Sequence, residues 1–452
     1  MTIVSCAPME SQRHPFLDHP HRTLIGLSLP VMASLVVEPL AGLVDTAFVE
    51  RLGAAYAAAL AAATTIFASI VWVFNFLGIG TQTSVAQSQG RGEAGSAREA
   101  VTVAVVLAIA CGIALAAAMW PLLGVAARWM SSDLLVQNAT LTYLRIRLLG
   151  APAILIILSN LGALRGLERM RATFWIAGGV SLVNIVLDPI LIFGWGPVPR
   201  LEIAGAAWAT TVSQAGGAVI SLILVKKTLG YSRSLSWRRA TALLVVGRDM
   251  VVRTGALLIF LLVATRTALQ AGVDAGAAHQ AIRQIWMMMA FLLDAFAHSA
   301  QSLIGFFLGA SDLGSARRVA RVACSWGLAT GLAVTAGLLA LEGVVAALLV
   351  PPSALLLFSS AWLACALVQP LNSLSFVTDG VHWGTGDFSF LRNAMLASTV
   401  TGLVCLGLIE TTSSHALTQV WLVTALWITI RATLGVLRIW PGTARSPLRT
   451  DV

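Results

Sequence analysis

This chain reads as an all-α membrane protein: twelve transmembrane helices in two six-helix bundles related by a pseudo-twofold axis. Three observations point there. Of its 452 residues, 58% are hydrophobic and only 11% are charged, whereas soluble domains carry about 25% charged residues. Twelve apolar stretches each approach or exceed the roughly twenty residues that cross a bilayer core. The second half of the sequence also repeats the first.

The expected spans are 24–49, 54–83, 98–122, 135–160, 172–194, 203–225, 241–270, 277–308, 317–341, 353–380, 390–410 and 416–437. The longer ones imply tilt or extension beyond the lipid. Residues 1–23 form a polar tail with His14, His19 and His21, and lack the apolar core of a signal peptide. Residues 24–225 make the first bundle, 226–240 a basic linker, 241–438 the second bundle and 439–452 a closing tail.

The net charge of +9 does not indicate nucleic acid, because the basic residues lie singly or in short clusters between apolar runs. With the N-terminus inside, clusters such as Arg165, Arg169 and Arg171, or Lys226 and Lys227, fall on cytoplasmic connections. Only Arg51, Arg128 and Arg200 fall on external ones. That bias requires an even number of spans with both termini cytoplasmic. The five cysteines (Cys6, Cys111, Cys324, Cys365 and Cys405) have no metal or redox spacing, so neither a metal nor a cofactor is expected. No Walker pattern, HExxH or Ser/His/Asp arrangement suggests an enzyme.

The repeat is gap-free over long stretches. A shift of 219 lays Gln82 to Arg98 on Gln301 to Arg317, Thr46 on Thr265 and Gly53 on Gly272. Further along, a shift of 218 pairs Pro152 with Pro370, Gly162 with Gly380 and Gly166 with Gly384. Six spans per copy is an even number, so both copies run the same way, about an axis along the membrane normal. Such repeats place a substrate site near their interface and alternate access by rocking one bundle against the other.

The copies differ in chemistry. Asp45 meets Ala264, Asn184 meets Gly402 and Asp188 meets Leu406. A charged side chain at membrane depth costs about 2.5–3.5 kcal/mol or more, which makes an intramembrane acid a functional hypothesis by default. Asn184 and Asp188 lie four apart and stack on one helix face. The amide can donate to the carboxylate, and Pro189 frees a backbone carbonyl nearby. A site opened alternately to water and closed can take up and release a proton.

Several motifs resemble the multidrug and toxic compound extrusion (MATE) transporters: Leu27-Ser28-Leu29-Pro30, Val44-Asp45-Thr46-Ala47 with Arg51-Leu52-Gly53, Gly162-Ala163-Leu164-Arg165-Gly166, and Ala277-Ala278-His279-Gln280. Leu293-Asp294-Ala295-Phe296-Ala297 and Asp379-Gly380 are similar to the branch named for DNA-damage-inducible protein F. The resemblance covers essentially the whole chain. It implies a two-lobed, V-shaped cavity protein that exports small organic, often cationic, compounds in exchange for protons or sodium, protons being the first expectation.

By the same resemblance, Asp45 and Asp188 match protonatable acids, Asn184 their polar partner and Tyr143 a tyrosine of the same lobe. Asn160 and Thr210 are further matches, with neighbouring polar residues as alternatives. Pro30 matches a proline at which the first helix bends. Glu50 departs from the small residue usual there, which bears on substrate preference.

Asp294 and Asp379 are secondary candidates that could pair with Arg283 or Arg266. His279 could titrate, with Gln280 beside it. His298 and His382 have no ligand-like partners in the sequence. Trp72, Trp175, Trp195, Trp286 and Trp383 are expected to pack or anchor rather than bind a cation. A flippase for lipid-linked precursors is the alternative function, for which Arg145, Arg147, Arg253, Arg266, Arg283 and Arg431 would have to line a cavity. A non-transporting scaffold would leave the acids unused. The expected partners are a small organic substrate and the lipid bilayer, with no nucleic acid. The chain is expected to be a monomer in the inner or plasma membrane.

Overall fold

The computed structural model describes residues 13–195, 198–440 and 446–449. Cys6, Arg445 and the outer parts of the expected tails therefore lie outside the described residues. Among those described, ten helices are long and apolar enough to span a membrane, and two bent pairs bring the number to twelve.

In chain order the first lobe holds α1 (Pro20–Glu50), α2 (Ala54–Gly90), α3 (Ala94–Met130), the bent α4 (Leu134–Leu149 and Ala151–Gly166), α5 (Met170–Phe193) and α6 (Ile203–Thr228). The second holds α7 (Trp237–Gln270), α8 (Val273–Gly309), α9 (Leu313–Leu349), the bent α10 (Pro352–Leu367 and Gln369–Thr385), α11 (Phe388–Gly407) and α12 (Ala416–Ile439). Each expected span is found, and most helices run past the apolar core. The 37 residues of α9 make a rod of roughly 55 Å, far longer than the lipid core.

The repeat explains the bends. α4 turns by 51° and α10 by 44°, at Gly150 and Val368, which the 218-residue shift superposes. Pro152 and Pro370 follow two residues later, and a proline has no N–H to close the helical ladder across the break. By contrast, α1 continues through both Pro30 and Pro39.

Among the described residues, the hydrogen bonds that join the lobes lie toward the end that carries the chain termini. Gln82 of α2 donates to the His298 carbonyl (2.7 Å) and to Ser302 Oγ (2.9 Å). Its repeat partner Gln301 of α8 donates to the Ile79 carbonyl (2.8 Å) and to Thr83 Oγ1 (2.9 Å). Each bond is the symmetry image of the other. A Cβ on Gly90 would lie 1.9 Å from the Phe306 carbonyl oxygen, and one on Gly309 2.0 Å from that of Gln87. Only glycine permits this approach.

One core is built on Leu60, Leu144 and Ile203 and extends to Leu243, Met250 and Trp383 of the second lobe; the other, on Phe260, Phe358 and Trp427, belongs to the second lobe alone. Every hydrogen bond between the lobes among the described residues lies in the terminal-side half. Among the described residues, no hydrogen bond joins the lobes at the end away from the termini.

Candidate functional site

Four helices of the first lobe converge on its polar centre. α1 carries Asp45, α4 carries Tyr143 and Arg147, α5 carries Asn184 and Asp188, and α6 carries Thr210 and Gln214. Asp188 is fully buried, Asp45 is 9% exposed and Tyr143 is 3% exposed. The carboxyl groups of Asp45 and Asp188 lie within hydrogen-bonding reach of each other. Yet neither oxygen of Asp188, nor Oδ1 of Asp45, has a donor. Two ionised carboxylates cannot bond to one another, so this contact becomes a hydrogen bond only when one of them carries a proton.

The expected bond from Asn184 to Asp188 is not made. Asn184 shares the buried face with Asp188, but its amide donates to Thr210 Oγ1 across to α6 at 3.4 Å. Helical stacking fixes which face a side chain is on, and the neighbouring helix determines which way the amide turns. Tyr143 lies against Thr210 and Arg147. Asn160 is not brought to the pair: its amide donates to Ser221 at 2.9 Å, deeper between α4 and α6.

Two charged residues join the site beyond those the sequence singled out for it. Arg147 is buried, donates to Gln214 Oε1 at 2.8 Å and lies over the Phe67 ring at 4.5 Å. It interacts electrostatically with Asp45 and Glu38. Glu38 is solvent-accessible, although the arginine it acts on is buried. The spacing held this signal: Glu38 precedes Asp45 by seven residues, two turns along nearly the same helical stripe.

In the second lobe the corresponding space is filled. The 219-residue shift places Phe260 on Ala41 and Leu257 on Glu38. The 218-residue shift places Ala361 on Tyr143 and Cys365 on Arg147. Phe260 stacks on Trp427 at 4.6 Å with 5° between the planes. A Cβ on Gly402, the counterpart of Asn184, would strike Phe260 at 2.6 Å. An aromatic pair thus occupies the volume that small residues leave free for acids in the first lobe.

The secondary candidates are placed elsewhere, and their partners differ from expectation. Asp379 is held by Arg253 and by Arg431 (3.0 Å), both buried, rather than by Arg266 or Arg283. Arg283 donates to Gln280 Oε1 at 3.0 Å. Asp294 lies 3.7 Å from His298 Nε2, and Arg165 approaches the same ring nitrogen at 3.3 Å. His298 therefore does have partners, at the seam of the lobes. His279 contacts Thr265 Oγ1 at 3.2 Å and packs on Trp421 in the second lobe's core. Trp175 and Trp195 are exposed on the outer surface, whereas Trp286 and Trp383 are packed inside.

Two repeated six-helix lobes joined near the chain termini, with an acid pair inside one of them, define a membrane transporter rather than an enzyme. The chain belongs to the MatE family, the multidrug and toxic compound extrusion transporters, whose pattern matches residues 30–190 and 252–406. It is 30% identical to Protein DETOXIFICATION 44, chloroplastic, of Arabidopsis thaliana, over 97% of this chain and 87% of that protein. It is 27% identical to DNA damage-inducible protein F of Escherichia coli strain K12, over 94% and 93%. Among solved structures, an outward-facing multidrug resistance MATE family transporter of the MOP superfamily matches with a TM-score of 0.86 at 22% identity, covering 96% of this chain and 97% of that one. A MOP superfamily transporter from Pyrococcus furiosus matches at 0.85 and 22%, covering 95% and 97%.

Proposed function

We propose that the protein is a proton-coupled antiporter that exports small amphiphilic, often cationic, organic compounds by alternating access. The observation that supports this most is the Asp45–Asp188 contact: two facing carboxyls with no donor between them bond only by holding a proton. In this reading Asp45 and Asp188 carry the proton, while Asn184, Tyr143 and Thr210 shape the pocket around them. Glu38 attracts cations, and Arg147 limits how much negative charge accumulates. Protonation from the open side weakens the hold on a cation. The lobes then rock about the inner seam, and release of the proton toward the termini resets the pair. Pro30 is the proposed point of bending in α1.

One proton exchanged for one monovalent cation moves no net charge, so the pH difference alone would drive that exchange. A neutral substrate would also draw on the voltage, about 2.3 kcal/mol per charge at 100 mV. The reading places a monomer in the inner or plasma membrane with both termini cytoplasmic. The flippase alternative has less support, because Arg147, Arg253, Arg283 and Arg431 are each engaged by a neighbouring side chain.

Transport by the purified protein in liposomes tests the proposal. An imposed pH gradient should drive efflux of a fluorescent organic cation, and Asp188→Asn should abolish it while leaving the protein folded. Efflux that follows a sodium gradient and ignores pH would overturn proton coupling.

A further inference from the structure

On the lipid-facing side of the first lobe, at the terminal end, lies a groove of about 610 Å³. That is the size of sites that enclose whole small molecules, about 300–1,000 Å³. α5 runs along it, with α1 on one side and α6 on the other. Its walls are apolar, with Leu224 of α6 facing Gly26 of α1. Gly26 and Gly179 leave open space where side chains would project. From Arg171 to Gly179 the helix rises roughly 12 Å, close to the ~15 Å depth of one leaflet's hydrocarbon.

The mouth is basic. Arg169 and Arg171 are both exposed, and neither makes an ion pair or a side-chain hydrogen bond among the described residues. Glu168, which lines the same groove, is engaged by His14 Nε2 at 3.0 Å rather than by either arginine. Trp175, exposed on the same helix, has the interfacial character of an aromatic anchor. Two unpaired guanidiniums above an apolar trough one leaflet deep match one ligand chemistry: a phosphate headgroup joined to an acyl chain.

We propose that this groove binds an anionic phospholipid, with its phosphate on Arg169 and Arg171 and one acyl chain along α5. Basic pockets between spanning helices on the cytoplasmic side favour such headgroups. The occupant touches α1 at Gly26 and Leu27, one turn before Pro30.

Native mass spectrometry of the full chain tests this in detergent containing equal phosphatidylglycerol and phosphatidylcholine with the same acyl chains. The wild type should retain phosphatidylglycerol by about thirtyfold, roughly fivefold for each arginine. Arg169→Gln with Arg171→Gln should equalise the two lipids. Gly179→Leu, which fills the trough, should reduce retention of both. Arg233→Gln with Arg238→Gln, an exposed basic pair away from the groove, should keep the preference. Equal retention by the wild type, a preference that survives Arg169→Gln with Arg171→Gln, or an equal loss in the Arg233/Arg238 variant would each overturn the site. So would full displacement of the lipid by inorganic phosphate, since the apolar trough would then contribute nothing.

Discussion

Replacing Asp45 by Asn should make the protein more stable and less able to transport. In the wild type the two carboxyls face each other with no donor on three of their four oxygens. When both are ionised they repel; two unit charges 4 Å apart do so by about 4 kcal/mol at an effective dielectric constant of 20. The Asp45→Asn substitution removes that repulsion, and the new amide offers an N–H to Asp188. A hydrogen bond to a charged group contributes about 1.5–3 kcal/mol. Melting of the purified proteins in detergent measures the gain in stability, and proton-driven efflux measures the loss of function. A variant that melts lower than the wild type would refute the shared-proton account.

Three other outcomes are expected. Ala41→Phe imports the second lobe's aromatic plug into the first; it should cost about 1–3 kcal/mol through overpacking and abolish efflux in the liposome assay, with normal efflux showing that the hollow is not the route. Asp379→Asn leaves Arg253 and Arg431 buried without their shared acid and should destabilise the fold by about 3–5 kcal/mol, read as a lowered melting temperature, with recovery when both arginines are replaced by apolar residues of similar size. Asp312 caps α9 through the Ser315 N–H at 2.9 Å, and the hydrogen bonds from Ser315 hold its carboxyl below the usual range. Its contribution is therefore present above the ordinary carboxylate pKa and lost as pH falls through the depressed one. Asp312→Ala should cost about 1 kcal/mol near neutral pH and much less in acid, as a melting series would show.

Much of this protein is local in the sense that a sequence is local. Hydrocarbon solubility is a property of each stretch, so twelve spans could be counted from composition. Basic residues report which side a connection lies on without reference to any other part of the chain. The 218–219-residue repeat carried more: it paired Pro152 with Pro370, beside which the structure bends both helices, and it isolated Asp45, Asn184 and Asp188 as unmatched in the second lobe.

Partnership was the part that only the tertiary structure decided. Helical periodicity places Asn184 beside Asp188, but the rotation of α6 gives Asn184 to Thr210. Asp379 took Arg253 and Arg431 rather than Arg266 or Arg283, because pairing depends on which helices adjoin and at what depth. Glu38 escaped notice because its significance lies in the buried arginine it acts on, and Ala41 because its significance lies in what it leaves empty. Polarity and periodicity are written residue by residue, whereas a hollow between helices exists only once distant segments have been set side by side.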